Sequence, residues 1–392
     1  MKIKDVQAQV LQSYEYPTGG WVLVRVRTED GVEGLGECFV PDNKGRAAFA
    51  ARDLITGSFA QSLLGRDILD IAASWEALYG VCCSIYDRRG LAIHALSGVD
   101  MALYDAAGKS LGVPVHKLLG GAFRDRIPLY ISSVFIDLDR FDDALRATAD
   151  YVEQGFGGIK YYGWPDFGQK PTRDQDLLRQ LRQAAGTDAD LMLDLGRPHG
   201  LAAALQTAQM IEDSGARIFW WEEPLSTSDD ADNMAQLTAR TALTIAAGES
   251  ELTAFAFREL VQKRVVDLLQ PDLSWVGGLT EGRRIGELAR LHRIPVVPHN
   301  WGTQINFAAS VHFVAALPDG FLCEYPITPR SRGAGHPQVF VADTATPQIP
   351  SPMMTALASV PVVVEKGHAW VPQGPGLGIE LDEAAVKKYT LP

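Results

Sequence analysis

The sequence predicts an α/β fold, in which a TIM barrel of repeated βα units follows a smaller α+β unit. Short apolar runs that end in a carboxylate recur at Asp194, Glu222 and Glu249, at intervals of 28 and 27 residues. Each interval has room for one strand and one returning helix, and this alternation is typical of βα units around a parallel sheet. The first 125 residues lack the alternation, so they are expected to form a separate unit.

The N-terminal unit is predicted to place strands before helices. Residues 21–27 alternate as a strand does, and the Asp-Gly pair at 30–31 is a hairpin turn signal before a partner strand at 32–38. Helical patterns follow at 45–64, 71–79 and 90–111. The last of these helices is rich in alanine, and Gly112 is expected to end it.

From residue 127 the chain repeats a strand followed by a helix. Eight strands are predicted, at 127–133, 158–162, 191–194, 218–222, 245–249, 266–270, 295–298 and 320–323. The predicted helices lie at 141–154, 174–185, 201–214, 230–239, 255–263, 279–292 and 306–316. A polar residue ends each strand, and in a TIM barrel these ends meet at one mouth.

Beyond about residue 345 the repeat stops. The tail is too short for a core of its own, and it is expected to return to the first unit, with one more strand at 360–365. The predicted organisation is therefore 1–125, 126–345 and 346–392.

Composition and charge narrow the possible functions. The 392 residues are 46% hydrophobic and 21% charged, which is typical of a globular protein with a substantial core. The net charge of −12 disfavours nucleic acid and anionic membranes as partners. No apolar run suits a signal peptide or a membrane span. The four cysteines show neither disulfide nor metal spacing, so a reduced cytoplasmic protein is expected.

The three strand-end acids predict a metal site. Carboxylates that converge at one mouth repel each other unless a cation lies among them. Oxygen ligands with water completing an octahedron suit Mg²⁺ best. The sequence therefore predicts that Asp194, Glu222 and Glu249 hold a magnesium ion.

Several motifs, in this order and spacing, resemble one family across nearly the whole chain. They are ALSGVDMALYD at 95–105 with Lys109, LLGG at 118–121, the three acids, Asp272 in Gln-Pro-Asp, His299 in Val-Pro-His, Glu324 and PGLG at 375–378. Together they resemble the enolase superfamily, mandelate racemase subgroup. The resemblance implies a modified (β/α)7β barrel, capped over its mouth by an α+β domain built from the N-terminal region and the C-terminal tail. It also implies one Mg²⁺ per subunit, a small carboxylate substrate and a homo-oligomer.

The resemblance assigns roles to the remaining strand-end residues. The family's common step removes the proton α to a carboxylate, and a metal ion lowers the cost of the resulting dianion. His299 matches the base, and Asp272 fixes its tautomer and raises its basicity. Glu324 is expected to donate to a carboxylate oxygen if it stays protonated.

The second strand departs from the racemase pattern. Where the family often shows Lys-x-Lys, this chain reads Lys160-Tyr161-Tyr162. Lys160 is predicted to contact the substrate carboxylate, whereas Tyr162 is a poor base at neutral pH. Racemisation needs competent bases on both faces of the substrate, so a one-base reaction is favoured. The resemblance then implies a dehydratase of an acid sugar that gives a 2-keto-3-deoxy acid.

Two questions stay open at this level. The proton for the leaving hydroxyl comes back from His299 in a syn elimination, or from Tyr162 or His199 in an anti one. A racemase, an epimerase or a lactone-forming cycloisomerase on the same scaffold is an alternative, and so is a catalytically silent metal-binding protein.

Substrate contacts are predicted for Tyr14, Trp21, Arg197, His199 and Trp301. Trp164 and Trp275 also follow strand ends and are expected to line the pocket.

Overall fold

A computed structural model describes most of the chain. The described residues are 1–12, 19–41, 45–162, 164, 166–194, 200–227, 229–326, 330–331, 340–341, 353 and 356–392. Among them, no helix combines the length and the apolar character that a membrane crossing requires.

The N-terminal unit begins with a three-stranded antiparallel sheet in the order β1 (Ile3–Leu11), β2 (Gly20–Thr28) and β3 (Glu33–Val40). The predicted hairpin between β2 and β3 is confirmed, with Leu23 opposite Glu37 and Trp21 opposite Phe39. The first strand was not predicted, because its polar residues interrupt the alternation that marks a half-buried strand.

Five α-helices follow the sheet. They are α1 (Ala47–Leu54), α2 (Ala60–Leu63), α3 (Ile71–Ser84), α4 (Leu91–Leu111) and α5 (Val115–Leu118), with a π-helical turn at Ile55–Phe59. Helix α4 packs closely on the sheet, since a Cβ on Gly36 would lie 1.9 Å from the carbonyl oxygen of Gly98. It ends at Gly112 in the left-handed conformation, as predicted.

The barrel is a parallel sheet whose strands run in chain order. Its strands are β4 (Arg126–Phe135), β5 (Gly158–Tyr162), β6 (Asp190–Asp194), β7 (Ile218–Glu222), β8 (Ile245–Ala247), β9 (Leu268–Leu269) and β10 (Cys323–Pro326). Strand β10 pairs with β4, which brings the last strand of the barrel beside the first.

Helices form the outer layer of the barrel. They are α6 (Phe141–Glu153), α7 (Pro171–Ala185), α8 (Leu201–Asp213), α9 (Ala231–Arg240), α10 (Thr253–Gln262), α11 (Gly278–Leu291) and α12 (Gln304–Ala316). Side chains along β5 alternate between the two sides of the sheet. Tyr161 reaches outward to hydrogen-bond Thr148 of α6, whereas Lys160 lies inside the barrel.

Several strand predictions were wrong in detail. The strands predicted at 245–249 and 266–270 are shorter, at Ile245–Ala247 and Leu268–Leu269. The segment predicted as a strand at 295–298 forms only one isolated bridge, Leu269 with Val296, and a second bridge joins Asp272 to His299 just after it. The last barrel strand begins at Cys323 rather than at residue 320, because a turn in which the Gly320 N–H bonds the Leu317 carbonyl precedes it. Glu324 therefore lies within the strand and not after it.

The C-terminal tail contacts both units. After β10 the chain forms β11 (Arg330–Ser331), β12 (Phe340–Val341), β13 (Ala358–Val360), β14 (Val364–Glu365), β15 (His368–Trp370), β16 (Glu380–Leu381) and α13 (Glu383–Tyr389). The strand predicted at 360–365 is thus two short strands. β15 pairs with barrel strand β4, and the Leu391 N–H bonds the Val10 carbonyl of the N-terminal sheet.

Candidate active site

Three carboxylates converge at the mouth of the barrel. Asp194 is the last residue of β6, Glu222 is the last residue of β7, and Glu249 lies two residues beyond β8. One oxygen from each lies within 4.8 Å of the others. This convergence follows from neighbouring parallel strands that end at the same edge. An all-oxygen, anionic donor set of this kind fits Mg²⁺, so the residues present suit the ion that the sequence predicts.

Glu222 is the most enclosed member of the trio. It is buried, its Oε1 lies 2.5 Å from the Lys160 ammonium, and its Oε2 accepts hydrogen bonds from Trp220 at 2.9 Å and Gln270 at 2.7 Å. Burial raises the pKa of Glu222, and although Lys160 lowers it, the neighbouring Glu324 and Glu249 raise it further, leaving the net direction upward. A cation that shares this cluster therefore relieves a real electrostatic cost.

Lys160 lies at the centre of the acidic cluster. Its ammonium is 3.1 Å from Glu324 and 3.9 Å from Asp194, in addition to its short contact with Glu222. Burial lowers the pKa of Lys160, but the charges of Glu222 and Glu324 outweigh it and hold the pKa well above its usual value. The ammonium is buried among these carboxylates, and its predicted contact with a substrate carboxylate remains a prediction.

His299 and Asp272 form the predicted dyad. Their strand-end segments are joined by a backbone bridge, and His299 Nδ1 lies 2.6 Å from Asp272 Oδ2. Asp272 Oδ1 accepts hydrogen bonds from the Ser274 N–H at 2.7 Å and the Ser274 hydroxyl at 2.6 Å. A carboxylate held on one oxygen and bonded to imidazole through the other fixes the His299 Nδ1–H tautomer and turns Nε2 toward the site.

The carboxylates around His299 strongly affect its charge. Burial lowers the pKa of His299, but Glu249, Glu324 and Asp272 together raise it to about 10. Among these carboxylates Glu249 has the largest single effect on the pKa of His299, with its Oε2 3.5 Å from His299 Nε2. The base and a metal-ligand candidate therefore face each other directly.

Glu324 is buried beside these groups, as predicted, but its charge state differs from the expectation. Its Oε2 accepts the Asn300 N–H at 2.7 Å. Burial raises the pKa of Glu324, and Lys160 and His299 outweigh that effect, so the net shift is downward. A lowered pKa favours the carboxylate, whereas the predicted hydrogen-bond donation requires the acid form.

Tyr162 lies at the end of β5, opposite Asp194 in the strand register, with 42% of its surface exposed. It shares the inward side of the strand with Lys160. Its position at the mouth is compatible with contact to a substrate, while its catalytic role remains a prediction.

Aromatic side chains line the boundary between the two units. Trp275 packs on His299, with ring centroids 5.6 Å apart, and on Phe39 of β3 at 5.9 Å. The Trp21 indole N–H donates to the Trp301 carbonyl at 3.3 Å, so two predicted substrate-binding residues meet at this boundary. Trp164 is buried against Phe141 and Phe167, and its predicted contact with the pocket remains a prediction.

Three residues that were predicted to bind substrate lie outside the described residues, namely Tyr14, Arg197 and His199. Sequence analysis missed His94 of α4, whose ring stacks on Trp275 at 5.4 Å and whose Nδ1 lies 3.0 Å from the Phe39 carbonyl oxygen. A lone histidine in a helix carries no sequence signal for such a contact.

Comparison with known proteins places the chain in a family. Residues 13–120 match the model of the mandelate racemase / muconate lactonizing enzyme N-terminal domain, and residues 143–385 match the enolase C-terminal domain-like model. The chain therefore belongs to the mandelate racemase / muconate lactonizing enzyme family. The resemblance drawn from the motifs is thereby confirmed, and so is the barrel fold with its N-terminal cap, because the same fold is seen in solved members.

Named members of the mandelate racemase / muconate lactonizing enzyme family are similar to this chain over nearly its whole length. The D-galactarolactone cycloisomerase of Agrobacterium fabrum is 29% identical, with 100% of each chain covered. The D-xylonate dehydratase of Haloferax volcanii is 30% identical over 99% of this chain and 89% of its own. The crystal structure of the 3,6-anhydro-D-galactonate cycloisomerase from Zobellia galactanivorans matches with a TM-score of 0.84, 29% identity and 100% coverage of both chains.

Proposed function

We propose that this protein is a magnesium-dependent acid sugar dehydratase, which removes the proton α to a carboxylate and expels the β-hydroxyl as water to give a 2-keto-3-deoxy acid. One observation carries the proposal, namely that the His299–Asp272 dyad and the carboxylates of Asp194, Glu222 and Glu249 share one mouth. Dehydratases of sugar acids among the relatives supply the substrate class.

The proposal gives each residue a distinct task. Asp272 holds the Nδ1–H of His299, so that Nε2 takes the α-proton. A divalent ion held by Asp194, Glu222 and Glu249, when bound, supplies Lewis-acid stabilisation of negative charge and offsets the carboxylate charge that raises the pKa of His299.

Lys160 acts on the substrate carboxylate in this proposal, and Glu324 supports Lys160. Lys160 contributes a buried positive charge at the mouth, where developing negative charge is costly without a partner. Glu324 keeps Lys160 charged, and it also orients the segment after His299 through the Asn300 N–H.

The proton that the leaving hydroxyl needs has three candidate sources. His299 can return the proton it removed if the hydroxyl leaves from the same face, whereas Tyr162 or His199 can donate from elsewhere in the mouth. Tyr162, with 42% of its surface exposed, is the described alternative to His299. Replacement of Tyr162 with phenylalanine tests the Tyr162 route, because only an elimination that uses its hydroxyl slows.

The proposal is tested with a panel of mono- and diacid sugars. Purified protein with Mg²⁺ is expected to convert at least one of them to a 2-keto-3-deoxy acid with loss of one water. Incubation in D₂O extends the test, because deuterium incorporation with full recovery of the starting acid indicates epimerisation instead. Binding of Mg²⁺ without exchange or turnover of any acid in the panel supports a catalytically silent protein and defeats the proposal.

A cycloisomerase is the second candidate, and the full-length similarity to the D-galactarolactone cycloisomerase favours it. The α-proton step is shared, and the difference lies in the leaving oxygen. When that oxygen belongs to a lactone or ether ring it stays tethered, so the product has the mass of the substrate. Product mass on lactone and open-chain substrates therefore distinguishes the two candidates.

A further inference from the structure

A carboxylate of the N-terminal sheet holds the first turn of barrel helix α12. Glu37 of β3 is buried. Its Oε1 accepts the Thr303 N–H at 2.7 Å and the Asn306 N–H at 3.3 Å, and its Oε2 accepts the Thr303 hydroxyl. The first N–H groups of a helix have no partner within the helix, and a negative charge there is favoured by the helix dipole. Glu37 thus fixes the start of α12 from another unit of the fold.

The fit around Glu37 is tight enough to require glycine at position 302, immediately before Thr303. A Cβ on Gly302 would lie 2.4 Å from Glu37 Oε1 and 2.5 Å from Asn306 Cβ. Such distances are well inside van der Waals contact, so any side chain at 302 would displace Glu37 from the helix start.

The same helical turn reaches the dyad. The Asn306 side-chain N–H₂ donates to Asp272 Oδ1 at 3.3 Å and to Asn300 Oδ1 at 3.0 Å. Asp272 is bonded through its other oxygen to His299, and Asn300 is the next residue after His299. All of these groups are buried, so the bonds do not compete with water.

We propose that Glu37 is a positioning residue for the catalytic base: by holding the first turn of α12 it keeps the Asn306 amide against Asp272, and so sets the geometry in which His299 acts. The inference rests on the proposed role of His299. Phe39 supports it, because it lies two residues further on the same side of β3 and contacts the ring of Trp275 that packs on His299. The base is then fully ordered only when the N-terminal sheet is seated on the barrel.

The chain offers a matched control in Asp100 of α4. Its Oδ2 accepts the Thr280 N–H at 2.9 Å and its Oδ1 accepts the Thr280 hydroxyl at 2.7 Å, at the start of barrel helix α11. Asp100 is buried as Glu37 is, and it joins the same two units. Within the described residues, no hydrogen bond leads from Thr280 to the dyad. Loss of the hydrogen bonds between Asp100 and Thr280 therefore weakens the packing of the N-terminal unit on the barrel without freeing Asp272.

Kinetics of Glu37→Gln and Asp100→Asn form the first arm of the test. Glutamine keeps the size of the side chain, but its amide N–H₂ cannot accept a hydrogen bond, so one of the two oxygens that hold Thr303 and Asn306 is lost. We expect kcat of Glu37→Gln to fall about 10- to 100-fold with KM changed less than about threefold, since small misplacement of a reacting group costs up to about 100-fold. Asp100→Asn is expected to keep kcat within about threefold of wild type. Equal losses in both variants overturn the proposal, because they indicate general loss of docking.

The second arm does not depend on turnover. In protein labelled with ¹⁵N-histidine, the His299 Nδ1 proton bonded to Asp272 is expected to give a downfield NMR signal, assigned by its absence in His299→Asn. Glu37→Gln should shift or broaden this signal, and Asp100→Asn should leave it unchanged. Asn306→Ala, which deletes only the amide that meets Asp272, should reproduce the effect of Glu37→Gln even if the latter folds poorly.

The two arms separate this inference from the proposed function. An unchanged His299 signal in both Glu37→Gln and Asn306→Ala overturns the positioning role, whatever the enzyme catalyses. A wild-type protein that converts no acid counts against the proposed function alone, while the imidazole signal still decides whether Glu37 orders the dyad.

Discussion

His299 Nε2 lies 3.5 Å from Glu249 Oε2, so the proposed base and a proposed metal ligand are in contact across the mouth of the barrel. Because of this contact, the charge of His299 depends on whether Glu249 binds a cation. The contact also means that the acid trio and the dyad form a single site.

Replacement of His299 with asparagine is expected to lower turnover by about 10²- to 10⁴-fold, the usual contribution of a general base. Mg²⁺ affinity should stay near that of wild type, because the imidazole is not one of the three oxygen donors. Product formation and α-proton exchange in D₂O measure the first effect, and calorimetric titration measures the second. His292→Asn, at the exposed end of α11, is the control and should retain full activity. Retained dehydration in His299→Asn would refute its role as the base.

Replacement of Asp194 with asparagine should weaken Mg²⁺ binding and abolish activity, since it removes one of three anionic ligands. In wild type, Mg²⁺ at about 100 times its Kd should stabilise the fold by about 2.7 kcal/mol, and the variant should lose this gain at the same concentration. Thermal unfolding with and without Mg²⁺ measures it. Asp190→Asn, at the opposite end of the same strand, should respond to Mg²⁺ as wild type does. An unchanged Mg²⁺ effect in Asp194→Asn contradicts the assignment.

Replacement of Lys160 with methionine should destabilise the metal-free protein by about 3–5 kcal/mol, because Glu222 and Glu324 are then left buried without the ammonium that contacts them. Added Mg²⁺ should recover part of the loss by supplying positive charge. Denaturant unfolding at neutral pH tests both effects. Lys170→Met removes an exposed lysine paired with Asp166 and should cost less than about 1 kcal/mol. A similar small cost in Lys160→Met would show that the buried acids need no cation.

Stability should fall in mild acid because of a buried histidine pair. His312 Nε2 lies 3.1 Å from the Leu377 carbonyl oxygen and Nδ1 lies 3.2 Å from His116 Nδ1, so the ring donates through Nε2 and accepts at Nδ1. Burial lowers the pKa of His312 to about 3. In the unfolded chain His312 binds a proton near pH 6.5, whereas in the folded chain it stays neutral until about pH 3. The free energy of unfolding that is present above pH 6.5 is therefore lost as the pH falls toward 3.

The size of this effect can be measured with His312→Gln. Below about pH 6 the slope of wild-type stability against pH should include about 1.4 kcal/mol per unit from His312. Urea unfolding between pH 5 and 8 should show a shallower slope in the variant. Parallel slopes for the two proteins would exclude His312 as the source.

Much of the site could be predicted from sequence, because strand-end position determines it. Asp194 and Glu222 end apolar runs, and Glu249 follows one closely, so their convergence follows from the βα repeat alone. The dyad was predicted from the family resemblance, and the positions of Asp272 and His299 after consecutive predicted strands agree with it.

Other features had no local signal. The strand predicted at 295–298 could not form a full ladder, because Pro295 and Pro298 have no N–H to donate. The contact between Glu37 and Asn306 joins residues 269 apart in the chain. It forms only when the N-terminal sheet packs on the barrel, and no local sequence pattern encodes that packing. The lowered pKa of Glu324 likewise depends on Lys160 and His299 meeting it in space.

The most direct measurement of the central claim is an anomalous difference map from a crystal soaked in Mn²⁺, a close substitute for Mg²⁺ with a measurable anomalous signal. The account predicts one strong peak bonded to carboxylate oxygens of Asp194, Glu222 and Glu249, with His299 Nε2 turned toward the same cavity. A peak elsewhere, or a trio without bound metal at saturating Mn²⁺, would contradict it.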